Sequence, residues 1–168
     1  MGGVQFGTVD SRLRVRPTPP HQPGVYLFLN ASDQVMYVGM AHDLEKVLYR
    51  YQQLQGRQAM RDRAAAGQIA QVGWVACKSG MTPPSLEQLA IRRYRPPWNT
   101  QHNPEPRGEG QAVRLSDAEQ AWLRAAASKL DTTLQALADA KPPAAGPTPR
   151  RRGWLRSRRD ASAPADAD

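Results

Sequence analysis

The sequence predicts a small α+β fold in which a three-stranded antiparallel sheet is flanked by helices. Two short apolar runs, at residues 25–29 and 35–40, lie on either side of the polar segment 30–34. Such a pair of runs around turn-forming residues is typical of a β-hairpin. A third run at 69–77 is rich in β-branched and aromatic residues, so it favours a third strand. The predicted order of elements is β-β-α-(α)-β-α.

Three helices are predicted around these strands. The first follows the hairpin: His42-Asp43 can cap it, apolar residues recur at helical spacing after this pair, and Gly56 can end the helix. A second, more exposed helix is expected over 57–66. The third, over 84–95, places its apolar residues on one face and ends before Pro96, which cannot continue a helix.

Composition divides the chain into five segments. They are an extended N-terminal lead-in at 1–22, a folded domain at 23–102, a Pro- and Gly-rich linker at 103–110, an appendage of one strand and a helical hairpin at 111–141, and a disordered tail at 142–168. The tail is dominated by Pro, Ala, Gly and Arg and has almost no apolar bulk, so it cannot build a core.

The charge balance predicts a polyanionic partner. The 168 residues carry a formal charge of +8 and an isoelectric point of about 10.2, and each phosphate that a basic protein neutralises releases counterions and adds affinity. A single cysteine, Cys77, excludes an internal disulfide and a cysteine-rich metal site. No apolar run is long enough to span a membrane and no signal-peptide pattern is seen, so a cytoplasmic protein is expected.

Three groups of residues in the folded domain carry a family resemblance. They are Pro23-Gly24-Val25-Tyr26, Tyr37-Val38-Gly39, and Leu86-Glu87 with the closing Tyr94-Arg95-Pro96-Pro97-Trp98-Asn99. Residues from about 20 to 100 thereby resemble the GIY-YIG nuclease family, which includes the N-terminal nuclease of the excision-repair incision subunit and several phage homing endonucleases. The resemblance implies a DNA endonuclease, a role in DNA repair, and Mg²⁺ or Mn²⁺ as cofactor. The motif glycines, Gly24 and Gly39, let another backbone or a phosphate approach closely.

The resemblance also implies roles for individual residues. Glu87 matches the family's metal-binding glutamate, and one carboxylate with waters and a substrate phosphate suits Mg²⁺. Tyr37 matches the tyrosine implicated as general base, and Tyr26 the tyrosine that supports it, with an ordinary cross-strand aromatic as the alternative for Tyr26. Tyr51 matches a residue that holds the phosphate or positions the water, and core packing is an equal alternative. Asn99 is expected to fix the loop after the third helix or to contact a phosphate.

One position departs from the family. Val47 stands where the family has an arginine that contacts the scissile phosphate, and valine cannot bind an anion. Loss of such an arginine lowers the rate of phosphoryl transfer by about 10³ to 10⁵. Arg50, one turn further along, can substitute for it, with His42 and Lys46 as nucleic-acid contacts nearby. Two alternatives stay open: an active endonuclease with a substitute cation, or a catalytically lapsed fold that binds DNA.

The appendage and the tail carry separate expectations. Ser116 and Glu119 form a capping box that begins a helix, and Asp131 is expected to restart a second one, an order that loosely resembles the ribbon-helix-helix family. That resemblance implies a homodimer with Arg114 facing DNA, and the alternative is a helical hairpin packed on the folded domain. In the tail, a basic cluster around one aromatic residue predicts a nucleic-acid-binding arm: Arg150, Arg151, Arg152 and Trp154.

Overall fold

The computed structural model of the chain describes residues 3–53 and 58–140. Within this part of the chain, five antiparallel strands form one sheet: β1 (Gln5–Val9), β2 (Val15–Arg16), β3 (Gly24–Leu29), β4 (Val35–Ala41) and β5 (Gln71–Ala76). Their order across the sheet is β2-β1-β5-β3-β4. The predicted hairpin is therefore β3–β4 at one edge, and the predicted third strand, β5, pairs with β3 on its other side.

The α+β fold is confirmed, but the sheet has more strands than predicted. Residues 1–22 were expected to form a lead-in, whereas β1 and β2 lie within them and extend the sheet past β5. The register sets Phe6 opposite Gly73, and Trp74 Nε1 donates a hydrogen bond of 3.0 Å to Gln5 Oε1. Leu13 and Val15 are buried. The N-terminal segment is therefore part of the sheet and of its core.

Helices cover both faces of the sheet. They are α1 (Leu44–Gln52), α2 (Gln58–Ala65), α3 (Thr82–Tyr94) and α4 (Asp117–Asp139), with a short 3-10 turn at Glu109–Gln111. The core on the side of α1 and α2 includes Phe28 and Trp74. The core on the side of α3 and α4 includes Leu27 and Val38. The hairpin is thus enclosed between α1 and α3.

The start of α1 follows the prediction. Asp43 is the N-cap residue, and its Oδ1 accepts a hydrogen bond of 3.0 Å from the backbone N–H of Lys46. The buried face of α1 consists of Leu44, Leu48 and Tyr51. The expected end of this helix at Gly56 lies outside the described residues.

The C-terminal appendage differs from the predicted helical hairpin, because α4 runs without interruption through the expected break. The expected restart at Asp131 is absent from this described helix: its carboxylate bonds to the segment before α3, whereas Ser116 does cap the start of α4. Thr132 and Thr133 lie inside the helix, and their hydroxyls donate to the carbonyls four residues back at 3.0 and 2.9 Å. Threonine makes such bonds inside helices. Serine, aspartate and threonine occur both at helix starts and inside helices, so their presence alone does not mark where a helix begins.

Two further expectations concern the ends of this appendage. The strand expected before α4 is reduced to one bridge between Gln34 and Arg114, and the Arg114 guanidinium lies 3.5 Å from the Asp33 carboxylate. The tail, with Arg150, Arg151, Arg152 and Trp154, lies outside the described residues. Among the described helices, none combines the length and the apolar character needed to cross a membrane.

Candidate active site

The two motif tyrosines lie on the same face of the β3–β4 hairpin. Tyr26 pairs with Gly39 and Phe28 pairs with Tyr37 across the two strands. A β-bulge after Phe28 accommodates Met36 as an extra residue in β4, which sets the alternation so that Tyr37 joins the aromatic face. The Tyr26 and Tyr37 ring centroids are 6.3 Å apart, and Phe28 stacks on Tyr37 at 5.7 Å.

Tyr51 brings a third phenol to this face from α1. Its Oη lies 3.0 Å from Tyr26 Oη in a buried hydrogen bond that either hydroxyl can donate. Its ring meets those of Tyr26 and Phe28 edge-on, at 6.2 and 5.5 Å. Tyr51 therefore packs in the core, one of the two roles expected for it, and its hydroxyl bonds to the motif tyrosine. Its action on a phosphate or a water stays a prediction.

Glycine at position 39 is required by the phenol of Tyr26. A Cβ atom at this position would lie 2.5 Å from Tyr26 Oη and closer still to the ring carbon Cζ. Gly24 is constrained in the same way, because a Cβ there would meet the carbonyl oxygen of Val75 and a methyl group of Leu44. The motif glycines therefore admit a ring and a neighbouring strand. The sequence predicts a close approach to these glycines by another backbone or a phosphate, and in the structure the neighbours are protein groups.

Glu87 is half-buried on the second turn of α3 and acts electrostatically on this cluster. Burial raises the pKa of Tyr26 well above its usual value, and the phenols of Tyr51 and Tyr37 and the charge of Glu87 raise it further. Tyr26 consequently keeps its proton at neutral pH, so it is suited to donate a hydrogen bond rather than to accept a proton. The Glu87 carboxylate therefore lies within electrostatic reach of Tyr26.

The loop after α3 fixes the backbone of β4 on both sides of Tyr37. Asn99 Oδ1 accepts a hydrogen bond from Val38 N–H and Asn99 Nδ2 donates to the Val38 carbonyl, both at 2.8 Å. The backbone N–H of Trp98 donates to the Met36 carbonyl at 3.0 Å. Because Asn99 is buried and its side-chain amide is engaged in this pair, it holds the loop in place, the first of the two roles expected for it.

The predicted cationic residues lie on the outer side of the motif helix. His42, Lys46 and Arg50 are exposed, and Lys46 Nζ lies 3.4 Å from Asp43 Oδ2. Val47 is half-buried and packs against the core around Tyr26. The family's arginine position is therefore occupied by a packing residue, and Arg50 is the basic side chain one turn further along α1.

A second oxygen- and nitrogen-rich group lies at the start of α1 and was not predicted. The imidazole of His21 stands between two carboxylates, with Nδ1 3.2 Å from Asp43 Oδ2 and Nε2 in contact with Glu45 Oε2. These three side chains could hold a metal ion. In this structure the imidazole pairs with both carboxylates. A lone histidine 22 residues before its partner gives no sequence signal of this kind.

The residues of this site match a known domain. Residues 22–100 match the family described as the UvrC-like GIY-YIG domain. This segment is therefore a UvrC-like GIY-YIG domain. The resemblance stated from the motif residues is confirmed, over nearly the same part of the chain. The appendage with α4 lies outside the matched residues.

Two relatives of the same protein family match about half of this chain. UvrABC system protein C of Clostridium tetani is 36% identical over 80 residues, which cover 48% of this chain and 13% of that protein. The same protein of Mycoplasma pneumoniae is 35% identical over 80 residues, with the same coverage of 48% and 13%. The matched segment thus spans only a small part of the length of these relatives.

Among solved structures, the GIY-YIG N-terminal endonuclease domain of UvrC from Thermotoga maritima, bound to magnesium as its catalytic divalent cation, is 27% identical. The match covers 48% of this chain and 86% of that one, with a TM-score of 0.42. A point mutant of the same domain in which an asparagine is replaced by alanine, also bound to its catalytic divalent cation, is 26% identical. That match covers 49% of this chain and 87% of that one, with the same TM-score of 0.42.

Proposed function

We propose that this chain is a metal-dependent endonuclease that hydrolyses phosphodiester bonds in DNA and acts in DNA repair. The observation that supports it is the cluster of Tyr26, Tyr37 and Tyr51 at the GIY-YIG hairpin, with the charge of Glu87 acting on Tyr26. Hydrolysis of a phosphodiester needs a group that activates water and positive charge on the phosphate. The tyrosine cluster offers a candidate for the group that activates water. Glu87 offers a carboxylate that can hold a metal ion as the source of positive charge.

The donor set at Glu87 fits a hard divalent cation. Glu87 offers a half-buried carboxylate, and Mg²⁺ and Mn²⁺ prefer oxygen ligands over nitrogen or sulfur. Glu87 would hold the ion, and water and the substrate phosphate would complete its coordination. When bound, the ion supplies positive charge that polarises the scissile phosphate.

The tyrosines divide the proton chemistry between them. Tyr26 retains its proton, because burial and the neighbouring phenols and carboxylate raise its pKa, so it serves as a fixed hydrogen-bond donor. Tyr37, which matches the family's general base, would accept the proton of the attacking water as a phenolate, after releasing its own proton to solvent under the influence of the bound cation. The stacked ring of Phe28 and the loop bonds on either side of it hold Tyr37 in place. Arg50 supplies positive charge toward the phosphate, because Val47, at the family's arginine position, carries none.

The position of Val47 supports a second candidate, a lapsed nuclease fold that binds DNA without cutting it. Val47 packs on the core and carries no charge, which removes the cation that the family resemblance places on the scissile phosphate. Binding to the DNA backbone needs only cations in suitable positions. Lys46 and Arg50 on the exposed side of α1 satisfy that need, with His42 when it is protonated.

The two candidates are distinguished by one cleavage experiment. A panel of labelled nicked, branched, single-stranded and double-stranded DNAs is incubated with the full chain in Mg²⁺, in Mn²⁺ and with EDTA. We expect cutting that EDTA abolishes and that Glu87→Gln lowers by about 100-fold or more, with DNA affinity retained. The matched control is Glu105→Gln, because Glu105 is an exposed carboxylate that pairs with Arg95 on the surface. DNA binding without cutting on every substrate would establish the lapsed alternative.

The basic tail is proposed as a separate DNA-binding arm. Its candidates are Arg150, Arg151, Arg152 and Trp154, which combine charge with one stacking ring. A chain that ends at Pro143 is expected to show a shallower dependence of DNA affinity on salt than the full chain, because fewer counterions are released. An unchanged slope would exclude the arm from DNA binding.

A further inference from the structure

Asp131 connects the appendage to the helix that carries Glu87. It lies on α4, outside the residues that match the GIY-YIG domain, and it is buried. Its carboxylate accepts hydrogen bonds from the backbone N–H of Lys78 at 2.9 Å, from the backbone N–H of Ser79 at 3.2 Å, and from the Thr82 hydroxyl at 2.5 Å. A buried carboxylate with three donors is a fixed anchor, since each donor would lose its partner if the carboxylate moved.

The helix α3 begins without a side-chain cap of its own. The N-cap position is Met81, which makes no side-chain hydrogen bond to the first turn among the described residues, and Pro83 and Pro84 have no N–H to satisfy. The N–H of Thr82 bonds to the Ser79 carbonyl at 3.2 Å. The start of α3 is therefore held from outside, by a carboxylate whose negative charge also suits a helix N-terminus.

The other end of α3 is attached to the same appendage. Arg93 makes two hydrogen bonds to the Glu119 carboxylate, at 2.6 and 2.9 Å, and lies over the Trp122 ring at 4.5 Å. The Tyr94 hydroxyl donates to the Glu119 carbonyl at 3.3 Å. The helix α4 thus contacts α3 at both ends, with Glu87 between the two attachments.

We infer that α4 is a brace for α3 and that Asp131 is a positioning residue for the metal-binding carboxylate of Glu87. This inference rests on the proposed function, in which Glu87 holds the divalent cation. Glu87 is five residues after Thr82, about 7.5 Å along the helix axis, so a shift of the first turn moves the carboxylate relative to the hairpin. Groups that bond directly to a metal ligand change metal affinity or activity by about 10- to 100-fold when they are lost, and a group that acts on the ligand through its helix is expected at the lower end of this range.

The test measures Mn²⁺ binding to the full chain by electron paramagnetic resonance, with Glu87→Gln to identify the site. Asp131→Ala is expected to raise the Mn²⁺ Kd by about 10-fold or more, and to speed the exchange of the Lys78 and Ser79 amide hydrogens measured by NMR. Thr82→Val removes one of the three bonds and keeps the carboxylate, so a smaller increase in Kd is expected. The Thr82→Val variant keeps the test decisive if Asp131→Ala does not fold.

Leu123→Val is the matched control, because Leu123 is fully buried on the same helix and packs by apolar contact. We expect it to lower the melting temperature and to leave the Mn²⁺ Kd unchanged. The inference is overturned if Asp131→Ala and Thr82→Val lose stability with wild-type Mn²⁺ affinity, or if Mn²⁺ binding does not depend on Glu87. If the wild type binds Mn²⁺ and cuts none of the DNAs, the proposed activity fails, and the Kd values still decide the role of Asp131.

Discussion

The phenol of Tyr26 on β3 and the phenol of Tyr51 on α1 share a buried hydrogen bond of 3.0 Å. They are 25 residues apart in the chain, so the bond joins the GIY-YIG hairpin to the helix that follows it. Both rings also contact Phe28, and the bond therefore lies inside an aromatic cluster rather than at its surface. Such a bond stabilises the fold and orients the hydroxyl of Tyr26 at the same time.

This relationship predicts strong coupling between the two hydroxyls. Tyr26→Phe or Tyr51→Phe leaves the other phenol buried without this partner, so each should lower the free energy of unfolding by about 1 to 2 kcal/mol. The double variant should lose less than the sum, because the second substitution removes a group that has already lost its bond. Urea denaturation of the four proteins measures the coupling.

Tyr49→Phe is the control for this cycle. Tyr49 lies on the same helix, is 54% exposed, and accepts a hydrogen bond from Gln53 at the surface. Its substitution is expected to change the free energy of unfolding by less than about 0.5 kcal/mol. Additive losses for Tyr26 and Tyr51 would contradict the coupling.

Stability is expected to fall in alkaline solution because buried phenol and thiol groups keep their protons in the folded chain. Burial and neighbouring groups raise the pKa of Tyr26 well above 10.0, and burial raises the pKa of Cys77 from 9.0 to about 12. Above the pKa values that these groups have in the unfolded chain, the folded chain keeps protons that the unfolded chain has released. The free energy of unfolding therefore decreases as pH rises. Each such group contributes a slope of about 1.4 kcal/mol per pH unit in this window.

The alkaline slope can be assigned by substitution. Tyr26→Phe removes one retained proton and should flatten the decline of stability between about pH 10 and 12, measured by urea denaturation at each pH. Phe28→Leu, at a neighbouring buried position, removes packing and no titrating proton, so it should lower stability at every pH with an unchanged slope. Equal slopes for wild type and Tyr26→Phe would show that Tyr26 does not retain its proton.

The close approach of Tyr26 to Gly39 gives a third prediction. Gly39→Ala places a methyl group within the Tyr26 ring, so either the ring or β4 must shift, and overpacking of this kind costs about 1 to 3 kcal/mol. The displaced phenol should also lower cleavage. Gly110→Ala is the control, because a Cβ there meets no atom of the described residues within 4 Å. Thermal unfolding and cleavage assays of both variants compare them directly; matched behaviour of the two would contradict the steric argument.

The sequence predicted the elements that local patterns encode. The hairpin and β5 are short apolar runs, and α1 has an apolar stripe and the cap of Asp43, so propensity, periodicity and capping agree at each of them. The position of Glu87 came from family resemblance, because a helical glutamate has no distinguishing local signal. The steric need for Gly39 follows from a tertiary contact with Tyr26, which only the structure describes.

Long-range pairing accounts for what was not predicted. β1 pairs with β5, and Gln5 lies opposite Trp74, far along the sequence. The five-residue sequence of β1 does not indicate which strand it pairs with. At Asp131 the sequence offered a helix cap, whereas the carboxylate bonds to backbone groups 53 and 52 residues earlier in the chain. Both features depend on tertiary contacts that override a local preference.

The last prediction concerns the cation that replaces the family's arginine. If Arg50 acts on the phosphate, Arg50→Ala should lower the cleavage rate by about 10³-fold, and Val47→Arg in the same chain should restore most of it. Arg12→Ala, an exposed arginine on the N-terminal turn, is the control for general loss of charge. Because Val47 packs against the core, each Val47 variant is also checked for stability by urea denaturation. A large gain of rate from Val47→Arg alone, with no loss from Arg50→Ala, would instead mean that the wild-type site lacks an effective cation.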